Sequence, residues 1–223
     1  MDLMKIKPIQ FEPIPNISQE TTTIAIGTFG DDDWKDLAKR RAIPSAQAQG
    51  CPVVHAHAET LHQARNAALD HVETPWVIHL DADDELEPGY LSAMALPGHG
   101  SVRVPQVRYM QRGRAISRPR FPQVAGHQHS CVAECLPYGN WIVVGAAVET
   151  NLIRRIGGWR DFTWSEDWDV WLRCHLAGAS FTRAQRAIYR AHVRLDSRNR
   201  GGTAEERLDA HRAIARANGV PIP

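Results

Sequence analysis

No stretch of this 223-residue chain approaches the roughly 20 consecutive apolar residues that cross a bilayer. Met1–Gln10 carries two lysines but no apolar run, so no secretory leader is expected. Cysteine is scarce: Cys51, Cys131, Cys135 and Cys174 are too few for a disulfide scaffold and predict free thiols in a reducing, cytoplasmic setting. An excess of one charge is also missing. Lys and Arg number 26 against 25 Asp and Glu, a formal net charge of +1. That balance gives no electrostatic case for wrapping nucleic acid. One local basic run stands out, Arg103, Arg108, Arg112, Arg114, Arg118 and Arg120, suited either to an anionic acceptor or to a solvated face. There is no internal repeat and no clear interdomain linker.

What is present centres on Trp76–Leu86, W-V-I-H-L-D-A-D-D-E-L. Five apolar-run residues of strand length end abruptly at Asp81, Asp83, Asp84 and Glu85. Acids clustered at the end of a buried strand are costly unless a cation neutralises them, and a divalent ion with oxygen ligands would serve. A solvated, helix-capping loop is the plainer alternative.

Around this corner the chain alternates strand and helix. A proline-punctuated arm, residues 1–20, is expected to lie extended on the surface or disordered. Thr21–Phe29 reads as a buried first strand, Trp34–Ala48 as a helix interrupted at Pro44, and Pro52–His55 as a second strand. Thr60 and Gln63 form a capping box opening the helix Thr60–His71. Pro88–Leu96 follows as a short helix. This is the doubly wound α/β rhythm, predicting one Rossmann-like α/β domain with a mostly parallel central sheet. Beyond it, Ser101–Tyr109 alternates like a half-exposed strand, Trp141–Val144 is strand-like, and Leu152–Ile156 is a short helix stopped by Gly157-Gly158. Ser165 is placed to cap a helix over Glu166–Ala177. Ala179–Thr182 and Ala187–Ala191 are candidate strands. Thr203 and Glu206 open a last helix to about Asn218.

These residues, in order, resemble the inverting nucleotide-sugar glycosyltransferases of family 2, with the A-type fold. Thr23–Phe29 resembles the family's first strand and donor-site turn. Ala64-Arg65-Asn66 resembles its A-R-N helix, and Leu80-Asp81-Ala82-Asp83-Asp84 its D-x-D element. Glu166-Asp167, after Gly157-Gly158-Trp159, resembles the acceptor-side acidic pair, and Tyr189-Arg190-x-His192 a downstream element. The match spans roughly residues 21–195. One departure is local: His55-Ala56-His57-Ala58-Glu59 stands where many members carry an acidic loop near the donor base. The departure counts against uridine as the donor base and leaves guanosine and deoxythymidine carriers open.

The resemblance implies a donor half over residues 21–97, an acceptor half over 98–193, and a loop with a C-terminal helix over 194–223. Thr28, Phe29, Asp31, Arg65, Asp81, Ala82 and Asp83 would bind the donor. Asp83, with Asp81 and His192, would hold Mn²⁺ or Mg²⁺, which would stabilise the diphosphate leaving group. Asp167 would be the catalytic base, ionised in the first turn of its helix, with Glu166 orienting or binding acceptor. Trp164 and Trp168 would flank the acceptor, one of them as a core residue. The loop around Arg194–Thr203 would close over the donor. The partners implied are a nucleoside-diphosphate sugar and a hydroxyl-bearing acceptor: a glycan, a small molecule, a lipid-linked group or a modified DNA base. A homodimer is left open. Read on residue chemistry alone, Asp31 and Asp167 also suit helix capping, Arg65 a surface ion pair, and His192 a backbone-bonded histidine. Two other classes remain, a nucleotidyltransferase and a non-catalytic nucleotide-sugar-binding scaffold. His127, His129, Cys131 and Cys135 offer four zinc-ligand types, but their spacing is too tight for the usual zinc knuckles.

Overall fold

The computed structural model describes residues 14–95, 100–124, 132–194 and 203–221. The expectations for His127, His129, Cys131 and most of the 194–203 loop fall outside them, as do residues 1–13 of the arm.

Eight strands form one sheet: β1 (Thr22–Phe29), β2 (Val53–Ala58), β3 (Trp76–Asp81), β4 (Glu85–Leu86), β5 (Val102–Gln111), β6 (Arg114–Ala115), β7 (Ala147–Glu149) and β8 (Phe181–His192). Their order is β2-β1-β3-β7-β5-β8-β4, with β6 paired to β5. β1 lies parallel to both β2 and β3, and β5 is parallel to β8. β7 runs antiparallel to β3 and β5, β4 to β8, and β6 to β5. The sheet is therefore mixed. The parallel expectation holds for the first three strands, where helices cross between them. It lapses where β7 enters antiparallel between β3 and β5. Because β7 reverses direction twice over, β1, β2, β3, β5 and β8 all point the same way. Their carboxyl ends share one edge, the place where open α/β sheets bind ligands.

The helices are α1 (Asp32–Arg40), α2 (Ala42–Gln47), α3 (Leu61–Asp70), α4 (Tyr90–Met94), α5 (Thr150–Arg155), α6 (Glu166–Leu176) and α7 (Ala204–Asn218). The break expected at Pro44 falls at Arg41, and Pro44 sits in the first turn of α2, where its missing N–H costs nothing. The capping boxes at Thr60 and Thr203 are both formed. The candidate strands 179–182 and 187–191 are one strand, β8, whose pairing with β5 shifts register between Pro105 and Gln106. Trp141–Val144 forms no strand, although Trp141 is buried. β5 is largely buried rather than half-exposed, because Arg103 turns inward. Its guanidinium donates to the Met94 carbonyl and the Asn16 side chain, and stacks over Trp76. Residues 14–20 are docked and not free: Ile17 is core, and the Trp76 indole donates to the Pro15 carbonyl. No helix among the described residues is long and apolar enough to cross a membrane.

Two glycines set the site's framework. A Cβ on Gly27 of β1 would stand 3.0 Å from the Arg65 nitrogen, so glycine lets α3 lie close against the strand. Gly158 has φ +65°, and a Cβ there would meet Asn66 Oδ1 at 2.4 Å. Asn66 fastens that turn twice, accepting from Trp159 N–H (2.8 Å) and donating to the Trp159 carbonyl (2.8 Å). Gly158→Ala adds left-handed strain to a clash. It should cost about 2 kcal/mol or more, read as a lower urea midpoint at unchanged m-value.

Candidate active site

Arg65, on the second turn of α3, is 2% exposed and reaches in two directions. Nη2 donates to Asp81 Oδ1 (2.6 Å), and Nη1 donates to Glu166 Oε1 (2.9 Å). Its guanidinium lies 4.2 Å from the centre of the Trp159 ring. Trp159 is itself held by Asn66 and by its indole N–H on His79 Nε2 (3.2 Å). Burial and Arg65 push the His79 imidazole down to about 3, so it stays neutral against the guanidinium. The surface ion pair suggested by residue chemistry is thus a buried fork joining the end of β3 to the start of α6.

Asp81 and Asp167 line the same cavity, of about 320 Å³, with Asn140, Val144, Trp164, Ser165, Glu166 and Arg207. Asp167 Oδ2 accepts from Asn140 Nδ2 (2.8 Å), and Oδ1 accepts from the Trp168 N–H (2.9 Å). Burial, then the neighbouring Glu166, push its carboxyl up to about 7, with Arg65 pulling the other way. The helix start was expected to keep Asp167 ionised. Desolvation outweighs the dipole, and the group is poised near neutrality instead.

The acidic corner divides its work. Asp84 is buried and structural: Oδ2 accepts from the Tyr189 hydroxyl (2.7 Å) and Oδ1 from the His192 N–H (2.7 Å). Burial and the adjacent acids push it well above its ordinary value. Glu85 meets His192 Nε2 at 2.6 Å. Asp83, pushed up to about 6 by burial and Asp81, forms no ion pair among the described residues. Arg41 donates to its carbonyl oxygen (2.7 Å). His192 is therefore engaged by Glu85 and not gathered with Asp81 and Asp83. Among the described residues, no three His, Cys, Asp or Glu side chains converge to hold a metal ion. A second cavity, of about 370 Å³, opens beside this corner, lined by Arg41, Gln111, Arg112, Gly113, His192, Val193 and Arg194.

The remaining expected donor residues lie at the ends of β1 and β3. Thr28 is buried, its hydroxyl 2.9 Å from His55 Nε2 and 3.1 Å from His57 Nδ1. Phe29 stacks on Trp34 (5.8 Å), which also carries Arg194 over its face. Asp31 occupies the N-cap position of α1 but makes no capping bond through its side chain. Ala82 is buried. The tryptophan pair separates: Trp164 lines the cavity, whereas Trp168 is fully buried and donates to the Leu136 carbonyl, a core residue without an acceptor-facing surface.

Residues 76–200, over half of the chain, match the profile of glycosyl transferase family group 2, and residues 29–97 match that of glycosyl transferase family 2. The chain belongs to glycosyl transferase family group 2. No curated protein matches it in sequence. Its fold is similar to crystal structures of TarS from S. aureus. TarS 1–349 in complex with UDP-GlcNAc aligns with TM-score 0.64 at 14% identity, covering 88% of this chain and 66% of that one. TarS 1–349 alone gives 0.60 at 14%, over 88% and 65%. TarS at greater length gives 0.61 at 15%, over 87% and 39%. The chain thus spans just under two thirds of the length of the first of these structures.

Several residues at this site carry no signal in the sequence. Asn140 comes from an irregular segment, and Arg207 from a helix far along the chain. Trp159 was visible only as part of a glycine-glycine-tryptophan string. Arg65→Met would break both ion pairs of this buried fork, a loss of about 3–5 kcal/mol. The variant's melting temperature should fall by roughly 6–20 °C at neutral pH, and an unchanged melting temperature would contradict the pairing.

Proposed function

We propose that this chain is a glycosyltransferase with an A-type fold, moving a sugar from a nucleoside-diphosphate donor to an acceptor hydroxyl by a single inverting displacement. The observation that supports this reading is the shared cavity: Asp81, at the end of β3, and Asp167, on α6, face one space, and Arg65 ties Asp81 to Glu166, the residue before Asp167.

In this reading the donor lies along the strand ends. The nucleoside meets Thr28, Phe29 and Asp31, the phosphates lie over the Asp81–Asp83 turn, and the sugar enters the cavity beside Trp164. Arg41 and Arg194 bring positive charge to the phosphate side, since both oppose the acid of Asp83. Asp167 takes the proton from the acceptor hydroxyl. The acceptor oxygen forms its bond to the anomeric carbon while the bond from that carbon to the phosphate oxygen breaks, so the configuration inverts. The nucleoside diphosphate leaves with the bonding pair. A base near 7 holds the proton strongly enough to accept it and remains available to act at neutral pH.

A divalent ion fits the acidic corner. Asp83 is raised by burial and by its neighbour Asp81 and forms no ion pair among the described residues, and carboxylate oxygens suit Mg²⁺ or Mn²⁺. Asp81 and Asp83 would hold it; His192 joins only on leaving Glu85. Bound there, the ion would neutralise the departing diphosphate. UDP-GlcNAc, present in the TarS complex, is the first donor to try, followed by guanosine- and deoxythymidine-diphosphate sugars.

A donor panel tests this. Thermal shift and nucleoside-diphosphate release are followed with Mn²⁺ and with chelator. Asp83→Ala should lose the metal-dependent shift. Asp167→Asn should keep it and lose about 10²–10⁴ in transfer. In the parent, transfer should rise with pH through about 7 as Asp167 ionises. The same raised carboxyl favours the folded state in acid, an advantage lost as pH rises through 7. Asp167→Asn should therefore gain stability relative to the parent between pH 4 and pH 8. Full transfer by Asp167→Asn would end the proposal.

A further inference from the structure

Helix α7 lies beyond both segments that match the family, yet it closes one wall of the cavity through Arg207. Arg207, His211, Ile214, Ala215 and Asn218 share one helical face by their spacing of three and four. Ile214 and Ala215 are fully buried, and Asn218 Nδ2 donates to Asp169 Oδ1 of α6 (2.9 Å). His211 sits at the centre of this face. Its Nε2 is 3.0 Å from Ser165 Oγ, and its ring meets that of Trp168 edge-on at 5.1 Å. One imidazole therefore touches the residue before and the residue after the acid pair Glu166–Asp167.

Ser165 is held in an unusual state. Its φ is +58°, one of two positive values at non-glycine residues among those described, and its hydroxyl does not cap α6 as the sequence suggested. A left-handed serine costs of order 1 kcal/mol and persists only when its surroundings fix it. The hydroxyl that would ordinarily bond the helix start is instead turned to His211.

We propose that His211 is a positioning residue for the general base: by gripping Ser165 and Trp168 it fixes the turn from which Asp167 enters the cavity. The inference rests on reading Asp167 as that base. Its other restraints are Asn140 on Oδ2 and the Trp168 N–H on Oδ1. The second is itself set by where His211 holds Trp168. The charged groups that face Asp167 are Glu166 of its own helix, Arg65 of α3 and Asp81 of β3, with Arg207 of α7 on the cavity wall. Burial lowers the His211 imidazole, so it acts as a neutral hydrogen-bonding partner rather than as a further charge.

The test uses the full chain. The Asp167 carboxyl is titrated by carbon-13 NMR, its signal assigned by loss in Asp167→Asn, and kcat, donor KM and melting temperature are measured beside it. His211→Ala should move the Asp167 midpoint down by about one pH unit as water reaches the carboxyl. Its kcat should fall about tenfold or more with donor KM little changed. His211→Gln, whose amide can still meet Ser165, should restore most of both. Ser165→Gly removes the hydroxyl and relieves the strained φ. It should shift the midpoint in the same direction without lowering the melting temperature, which keeps the test decisive if His211→Ala does not fold. Asn218→Ala, which loosens the same helix elsewhere, should lose stability and leave the midpoint alone. An unchanged midpoint in both His211→Ala and Ser165→Gly, or an equal shift in Asn218→Ala, overturns the proposal. Full transfer by Asp167→Asn would sink the base reading instead, whatever His211 does.

Discussion

A single buried guanidinium joins the two ends of the candidate active site. Arg65 is withdrawn from water, and a charge in that position is tolerable only when it is fully paired. Its partners come from opposite sides of the cleft, Asp81 at the end of β3 and Glu166 at the start of α6. Arginine suits the post because its planar fork bonds in two directions at once, which a lysine ammonium on a flexible stem does less rigidly. The Trp159 ring lies against the guanidinium, Asn66 holds Trp159, and Gly27 lets the whole helix approach β1. The acid at the donor corner and the acid pair on α6 are kept at one spacing by this set of contacts.

The carboxylates then follow from what Arg65 does and does not reach. Asp81 and Glu166 have a cation. Asp84 has two hydrogen-bond donors from β8, and Glu85 has His192. Asp83 and Asp167 are left over, and burial beside other acids raises both, to about 6 and about 7. Surplus acid at these two places is what the proposed exchange between a charged donor and a hydroxyl calls for. In that reading the first place would take a cation with the phosphates that travel with it, and the second would supply the proton acceptor.

Much of this was legible in the sequence. The apolar run breaking at Asp81, the Arg65-Asn66 pair on a well-capped helix, and Glu166-Asp167 at a helix start were each visible, and they meet in space. The first three strands and both capping boxes followed from local patterning. Other features were hidden because tertiary contacts decided them. Arg103 reads as solvent-facing until its donors find Met94 and Asn16. β7 is three residues long and carries no periodic signal, yet it turns the sheet from parallel to mixed. His192 stood in the expected ligand position, but Glu85 of the neighbouring strand β4, whose cross-strand partner is Arg190, claims its ring nitrogen. Asn140 comes from an irregular segment without a periodic pattern, and His211, although its helix was legible, is placed by one hydrogen bond and one ring contact that no pattern announces. Trp168 and Trp164 look alike in sequence, and only packing sends one to the core and the other to the cavity.

The most direct measurement is a crystal structure of Asp167→Asn with Mn²⁺ and the donor that shows turnover in the parent. The account predicts the sugar inside the cavity between Asp81 and Trp164. The phosphates should lie over the Asp81–Asp83 turn, with residue 167 on the face of the anomeric carbon opposite the leaving oxygen. A sugar seated outside that cavity, or residue 167 on the same face as the phosphates, would contradict it.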